Sequence, residues 1–130
     1  MTSEVRGEHF GVQVESEVCD HCGFRVLTDA QADAYALAGT TEYRLRHGLL
    51  TSDEIRDSRR RLGKMSQRDF AKYLGVGEAS VKRWEAGHIQ DESSDRLIRM
   101  KTDLHAAKEN VRRIGAFLRE ASGVERSLVR

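Results

Sequence analysis

Ser66-Gln67-Arg68-Asp69-Phe70-Ala71-Lys72-Tyr73-Leu74-Gly75-Val76-Gly77-Glu78-Ala79-Ser80-Val81-Lys82-Arg83-Trp84-Glu85-Ala86-Gly87 reads as two short helices hinged on a glycine turn. Ser66 followed by Asp69 is a helix-start signal, and the spacing predicts a helix over Gln67 to Leu74 that stops at Gly75-Val76-Gly77. A second helix runs from Glu78 to Glu85 and stops at Gly87. Phe70 and Leu74 stand four apart and Val81 and Trp84 three apart, so each pair shares one side of its helix. Burying such side chains contributes about 1.5–3 kcal/mol each. Two helices packed this closely want a small residue inside the first and a glycine at the turn, and Ala71 and Gly75 meet those demands. Gly75 and Gly77 do not make a phosphate-cradling loop, because the preceding strand, the remaining glycines and the lysine are missing.

With Val81 and Trp84 inward, the second helix turns Glu78, Ala79, Lys82 and Arg83 outward, and Ser80 lies in the same first turn. Such a face fits the major groove of DNA, where each base pair offers its own donor and acceptor pattern. Arg83 is the foremost candidate for reading a base, because its planar fork can bond guanine O6 and N7 together. Glu78 could accept from cytosine N4, and Ala79 offers a methyl contact to thymine. Arg68, Lys72 and Lys82 are read as phosphate contacts, which position without specifying. The bland alternative is a basic amphipathic hairpin that is merely solvated surface. The run Ser66 to Val76 with Trp84-Glu85-Ala86-Gly87 resembles the phage-repressor and Cro class of helix-turn-helix. That resemblance implies that Gln67 grips a phosphate and that Glu78, Ala79, Lys82 and Arg83 face base edges.

Charge supports the placement. The net charge is only +1, yet residues 1–55 hold 4 basic and 10 acidic side chains, residues 56–83 hold 9 and 3, and residues 84–130 hold 9 and 8. An anionic partner would meet the middle segment. The composition, 38% hydrophobic and 33% charged, suits a soluble helical domain with a modest core rather than a disordered chain. No apolar run approaches the roughly 20 residues that span a bilayer and no signal-peptide core opens the chain, so a cytoplasmic protein without membrane contact is expected.

Outward from the hairpin, Phe10, Val12, Val14 and Val18 alternate with polar residues, predicting one half-buried strand leading into Cys19. Thr28 with Gln31 forms a capping box, with Leu27 as staple, for a short helix ending at Gly39. Thr40 to Leu50 reads as a hinge. Thr51 with Glu54 opens another helix, with Leu50 and Ile55 as staple, which Gly63 closes. Of Arg59, Arg60 and Arg61, at least one should face solvent alone, since three consecutive helical residues cannot share a face. A last helix begins at Ser93 or Ser94 and carries Leu97, Met100, Leu104, Ala107, Val111, Ile114 and Leu118 at alternating steps of three and four. Leu97, Met100 and Leu104 are expected to complete the core, and Val111, Ile114, Phe117 and Leu118 to form a dimer contact. A homodimer would set two reading helices about 34 Å apart on a palindromic operator. The tail after Ser122 is expected to fray.

Val18-Cys19-Asp20-His21-Cys22-Gly23 has the spacing at which two thiolates bind one zinc ion. Two ligands leave a tetrahedron half built; His9 and His21 are the only histidines near, and His21 is poorly placed between the cysteines. A site shared between chains, a redox pair and a vestigial knuckle stay open. Over roughly residues 6–100 the chain resembles the MqsA-type antitoxins, in which two Cys-x-x-Cys pairs, two strands and a short helix precede a helix-turn-helix. Cys19 and Cys22 match the second pair; the first has no counterpart, and Val5-Arg6-Gly7 already matches the strand region. The resemblance implies a zinc-binding N-terminal part that engages a cognate toxin, and repression of the protein's own promoter.

The expected fold is mostly α: a repressor-like helix-turn-helix domain with a small N-terminal α+β knuckle and a long C-terminal helix. Residues 1–47, 48–105 and 106–130 divide it into knuckle, DNA-binding domain and dimerising extension. The expected function is a DNA-binding, autoregulating antitoxin-like repressor. The rival is a partner-binding module, for toxin neutralisation or scaffolding, without specific DNA recognition. No acid and base pair or oxyanion donor set accompanies the cysteines, so no catalytic residue is assigned and an enzyme is not expected.

Overall fold

The structure is a computed structural model and describes residues 1–122, so the expected frayed tail after Ser122 lies outside the described residues. It is mostly helical, with small N-terminal strands and a long C-terminal helix. Strands β1 (Thr2–Val5) and β2 (Glu8–Gly11) form an antiparallel hairpin in the register Val5 opposite Glu8. Arg6 and Gly7 both take positive φ, 51° and 81°, which a two-residue turn of matching twist requires. The hairpin lies on helix α1 (Asp29–Arg46), where Phe10 meets Tyr43 edge-on at 6.3 Å and Tyr43 stacks on His47 at 4.1 Å. Glu8 fastens the far end of the hairpin: His47 Nε2 lies 2.6 Å from its Oε2, and Arg46 Nη1 donates to its Oε1 at 3.2 Å. These partners, the His47 bond first, lower the Glu8 pKa below its ordinary value.

Two expectations for this region are corrected. The single strand from Phe10 to Val18 is two strands in separate sheets: β2 ends at Gly11, while β3 (Glu17–Val18) pairs with β4 (Arg25–Val26). Phe10 and Val12 are buried, but Val18 is half exposed, so the apolar alternation outlasts the surface that could cover it. Helix α1 does not stop at Gly39 and instead runs seven residues further to Arg46 through the expected hinge. Gly39 serves close approach rather than termination: a Cβ there would stand 2.3 Å from Ser3 Oγ and 3.2 Å from Val5 Cγ2 of β1. The Thr28 capping box is present as expected, and Gln31 also donates to Glu17 Oε1 at 3.4 Å, tying α1 to β3.

Helices α2 (Ser52–Arg61), α3 (Gln67–Leu74), α4 (Glu78–Glu85) and α5 (Glu92–Thr102) enclose the main core. Ile55, Phe70, Val81 and Ile98 are wholly buried there, with Ala71, Leu74, Trp84 and Leu50 beside them. The Thr51–Glu54 capping box is formed, and Ser66 Oγ accepts from Asp69 N at 3.1 Å to start α3. Gly75 takes φ 81° as the left-handed cap that ends α3, its N–H donating to Ala71 O at 2.9 Å.

The last helix is also corrected. Its N-cap is Asp91, whose Oδ1 accepts from Ser94 N at 2.7 Å, not Ser93 or Ser94. The apolar series does not lie on one helix, because Asp103 is extended (φ −123°, ψ 113°) and separates α5 from α6 (Leu104–Ala121). Asp103 Oδ1 accepts from His105 N at 2.9 Å, so the carboxylate caps the new helix at the break. Ile98 supplies the wholly buried contact from α5; Leu97 packs at the core's edge, and Leu104 is 70% exposed instead of completing it.

Candidate nucleic-acid interface

The helix pair expected to meet DNA is held by polar as well as apolar contacts. Arg59 of α2 donates from Nε to Glu85 Oε2 and from Nη2 to Glu85 Oε1, both at 2.9 Å, and from Nη1 to Met65 O at 2.7 Å. Arg56 donates from Nη2 to Glu85 O at 3.1 Å. The Glu85 side chain is only 3% exposed, so this carboxylate at the end of α4 is satisfied almost entirely by arginine. Its hydrogen bonds raise the Arg59 pKa, against the opposing effect of burial. Of the three consecutive arginines, Arg59 is therefore internal, while Arg60 and Arg61 are exposed.

A second buried cation joins α1 to this unit. Arg44 is wholly buried and donates from Nε to Gln90 Oε1 at 3.1 Å, from Nη1 to Ser52 Oγ, and from Nη2 to the carbonyls of Trp84 and His88. Gln90 Nε2 in turn donates to Asp95 Oδ1 at 3.0 Å and to Leu50 O at 2.8 Å, and Arg99 Nε donates to Asp95 Oδ2 at 2.8 Å. Burial lowers the Arg44 pKa and the Asp95 charge opposes that shift. Tyr73 and Lys101 add a reciprocal tie between α3 and α5: each donates to the other's carbonyl at 2.7 Å.

On this scaffold Val81 and Trp84 point into the core, and Glu78, Ala79, Lys82 and Arg83 are exposed on the opposite side of α4. Lys82 Nζ lies 3.5 Å from Glu78 Oε1, one helical turn apart. Arg83 Nε donates to Ala79 O at 3.2 Å, so its side chain lies back along its own helix. Ser80 is half-buried at the start of α4. Arg68 and Lys72 are exposed on α3, and Gln67 is half-buried at its first position, next to the Ser66 cap. The clamp of Arg56 and Arg59 on Glu85, and the Arg44 network, escaped the sequence reading. A partial signal existed for Arg59, which continues the inward row of Ile55 and Ser58 on α2.

The cysteine knuckle sits apart from this face. Cys19 follows β3 directly, its N–H donates to Phe24 O at 2.8 Å, and Gly23 N donates to Cys19 O at 2.9 Å across the turn. Both thiols are free and exposed. Hydrogen bonds from the main chain of Cys22, then of His21, lower the Cys19 pKa. Zinc is the metal the resemblance implies, but among the described residues no group of three or more His, Cys, Asp and Glu side chains could hold a metal ion. A closed four-ligand site therefore does not fit the described residues of one chain.

At the other end, α6 buries no residue, and Val111, Ile114, Phe117 and Leu118 are 67%, 49%, 68% and 48% exposed. No helix among the described residues is long and apolar enough to cross a membrane.

A family model described as the antitoxin component of a bacterial toxin-antitoxin system, MqsA, matches residues 3–110. No curated protein and no solved structure matches the chain. The matched span takes in the β1–β2 hairpin, the cysteine knuckle, the helix pair and the start of α6. The chain belongs to the MqsA antitoxin family, whose role implies a cognate toxin as partner.

Proposed function

We propose that this chain is a sequence-specific DNA-binding repressor that regulates its own promoter as the antitoxin of a toxin-antitoxin pair. The observation that carries the reading is the outer face of α4. Glu78, Ala79, Lys82 and Arg83 are exposed opposite the buried Val81 and Trp84, with the cations Arg68 and Lys72 exposed on the neighbouring helix. In this reading the first turn of α4, Ser80 included, enters the major groove, Arg83 leaves the Ala79 carbonyl to bond guanine, and Gln67, Arg68, Lys72 and Lys82 hold phosphates.

A mobility-shift titration against the upstream promoter and a scrambled duplex, at one fixed salt concentration, tests the reading. Preference for the promoter supports it; equal or absent binding transfers the function to protein-partner binding. Within a specific complex, Arg83→Ala is expected to cost about 1–3 kcal/mol and to relax selectivity at one base step. Lys72→Ala should instead weaken all duplexes alike and reduce the salt slope by about 1. The reverse pattern would mean that α4 is placed wrongly in the groove.

The exposed α6 stripe is read as the homodimer contact, which would present two α4 helices to a palindrome. Introducing a charge into it, Phe117→Glu, should halve the mass in solution and reduce affinity for a full palindrome, while binding to a half-site persists. A variant that keeps the parent mass in sedimentation removes α6 as the dimer contact.

A further inference from the structure

We infer that Cys19 and Cys22 are a dithiol–disulfide couple, a modification site that closes on itself by exchange with an external disulfide. The inference goes beyond the repressor reading and does not depend on it. These are the only two cysteines of the chain, and both thiols are free and exposed. A disulfide needs Cα atoms about 4.4–6.8 Å apart and sulfurs that face each other. Gly23 N–H donates to Cys19 O at 2.9 Å and Cys19 N–H to Phe24 O at 2.8 Å, so the chain doubles back across Asp20, His21 and Cys22. Gly23 takes φ 73°, the left-handed conformation that returns the chain toward β4. Residues three apart in such a turn lie under about 7 Å from each other. The Cys19 sulfur is turned toward the main-chain N–H groups of His21 and Cys22 and toward the Cys22 thiol.

Closure takes two exchanges and needs no group beyond the external disulfide. One cysteine, as its thiolate, attacks a sulfur of that molecule; the old sulfur–sulfur bond breaks, leaving a mixed disulfide and one expelled thiolate. The other cysteine, as its thiolate, then attacks the bonded cysteine sulfur, forms the Cys19–Cys22 bond and expels the second thiolate. The two cysteine protons pass through solvent to the expelled thiolates. Two electrons have then moved from the chain to the external disulfide, which leaves as two thiols. Exposure serves the first step, because both thiols and every residue of β3 and β4 are open to solvent. The preformed turn serves the second: ordering even one residue beforehand favours closure over that of an unfolded chain by about tenfold.

Equilibrating the full chain in mixtures of reduced and oxidised glutathione, with a chelator present, tests the assignment. Acid quenching followed by intact mass reads the state of both sulfurs. The expected product is a chain lighter by two hydrogens, half formed at one glutathione ratio whether approached from the reduced or the oxidised chain. The urea-unfolded chain should need about tenfold more oxidised glutathione, at the same reduced glutathione, to reach that point. Cys22→Ser should hold one glutathione on Cys19, and Cys19→Ser one on Cys22, since neither variant can resolve the mixed disulfide. Parent chains that keep glutathione adducts, that link to one another in place of closing, or that close no more readily folded than unfolded would each overturn the couple.

Discussion

Glu85→Ala is expected to lower the unfolding free energy by about 3–5 kcal/mol, the range for breaking a buried ion pair from one side. The carboxylate does not contribute chiefly through attraction between exposed charges, which is worth little. Its removal strands the Arg59 guanidinium, 15% exposed, with Met65 O as the acceptor it keeps. It also frees Arg56 from its ion-pair partner at the end of α4. Glu85→Gln retains an acceptor without the charge and should fall between parent and alanine. The paired change Arg59→Leu with Glu85→Leu should recover most of the loss, because neither partner is then left charged in the interior. Urea unfolding with an unchanged m-value distinguishes these outcomes. A cost under about 1 kcal/mol for Glu85→Ala would mean that solvent reaches the pair and that apolar packing alone holds α4.

This clamp also marks the limit of what the sequence discloses. The bounds of α3 and α4 are legible because their signals are local: a serine cap at Ser66, a left-handed glycine at Gly75, and apolar pairs at helical spacing. The outward set of α4 follows from the same spacing once Val81 and Trp84 are assigned inward. Arg59 and Glu85 lie 26 residues apart and Arg44 and Gln90 46 apart, and no periodicity connects such partners. Gly39 misleads for a related reason, since the local rule makes glycine a stop signal while the contact that demands it comes from Ser3 in β1. At Asp103 the failure is of another kind: the apolar spacing stays in step across the break, so periodicity alone joins two helices that the backbone separates.

Arg44→Ala carries the second large expected effect, again about 3–5 kcal/mol, arising from a cavity and from polar atoms deprived of their donor. Gln90 Oε1 and the His88 carbonyl lose the guanidinium outright, while the Trp84 carbonyl keeps the Ser52 hydroxyl, which donates to it at 2.6 Å. Asp95 keeps Arg99 and the Leu50 N–H but loses the charge that faces it through Gln90. Arg44→Lys preserves the charge and not the planar fork, so it should restore only part of the loss. These groups belong to α1, α2, α4, the segment leading into α5 and α5 itself, on both sides of the boundary expected near residue 47. If Arg44 joins the two sides into one cooperative unit, chemical denaturation of the parent is a single transition at every probe, and Arg44→Ala moves the whole of it. Amide exchange then rises together in α1 and in the core helices α2 to α5. Should α1 alone lose protection while Phe70, Val81 and their neighbours keep theirs, the residue anchors α1 without coupling it to the core, and the boundary near residue 47 separates two independently stable parts.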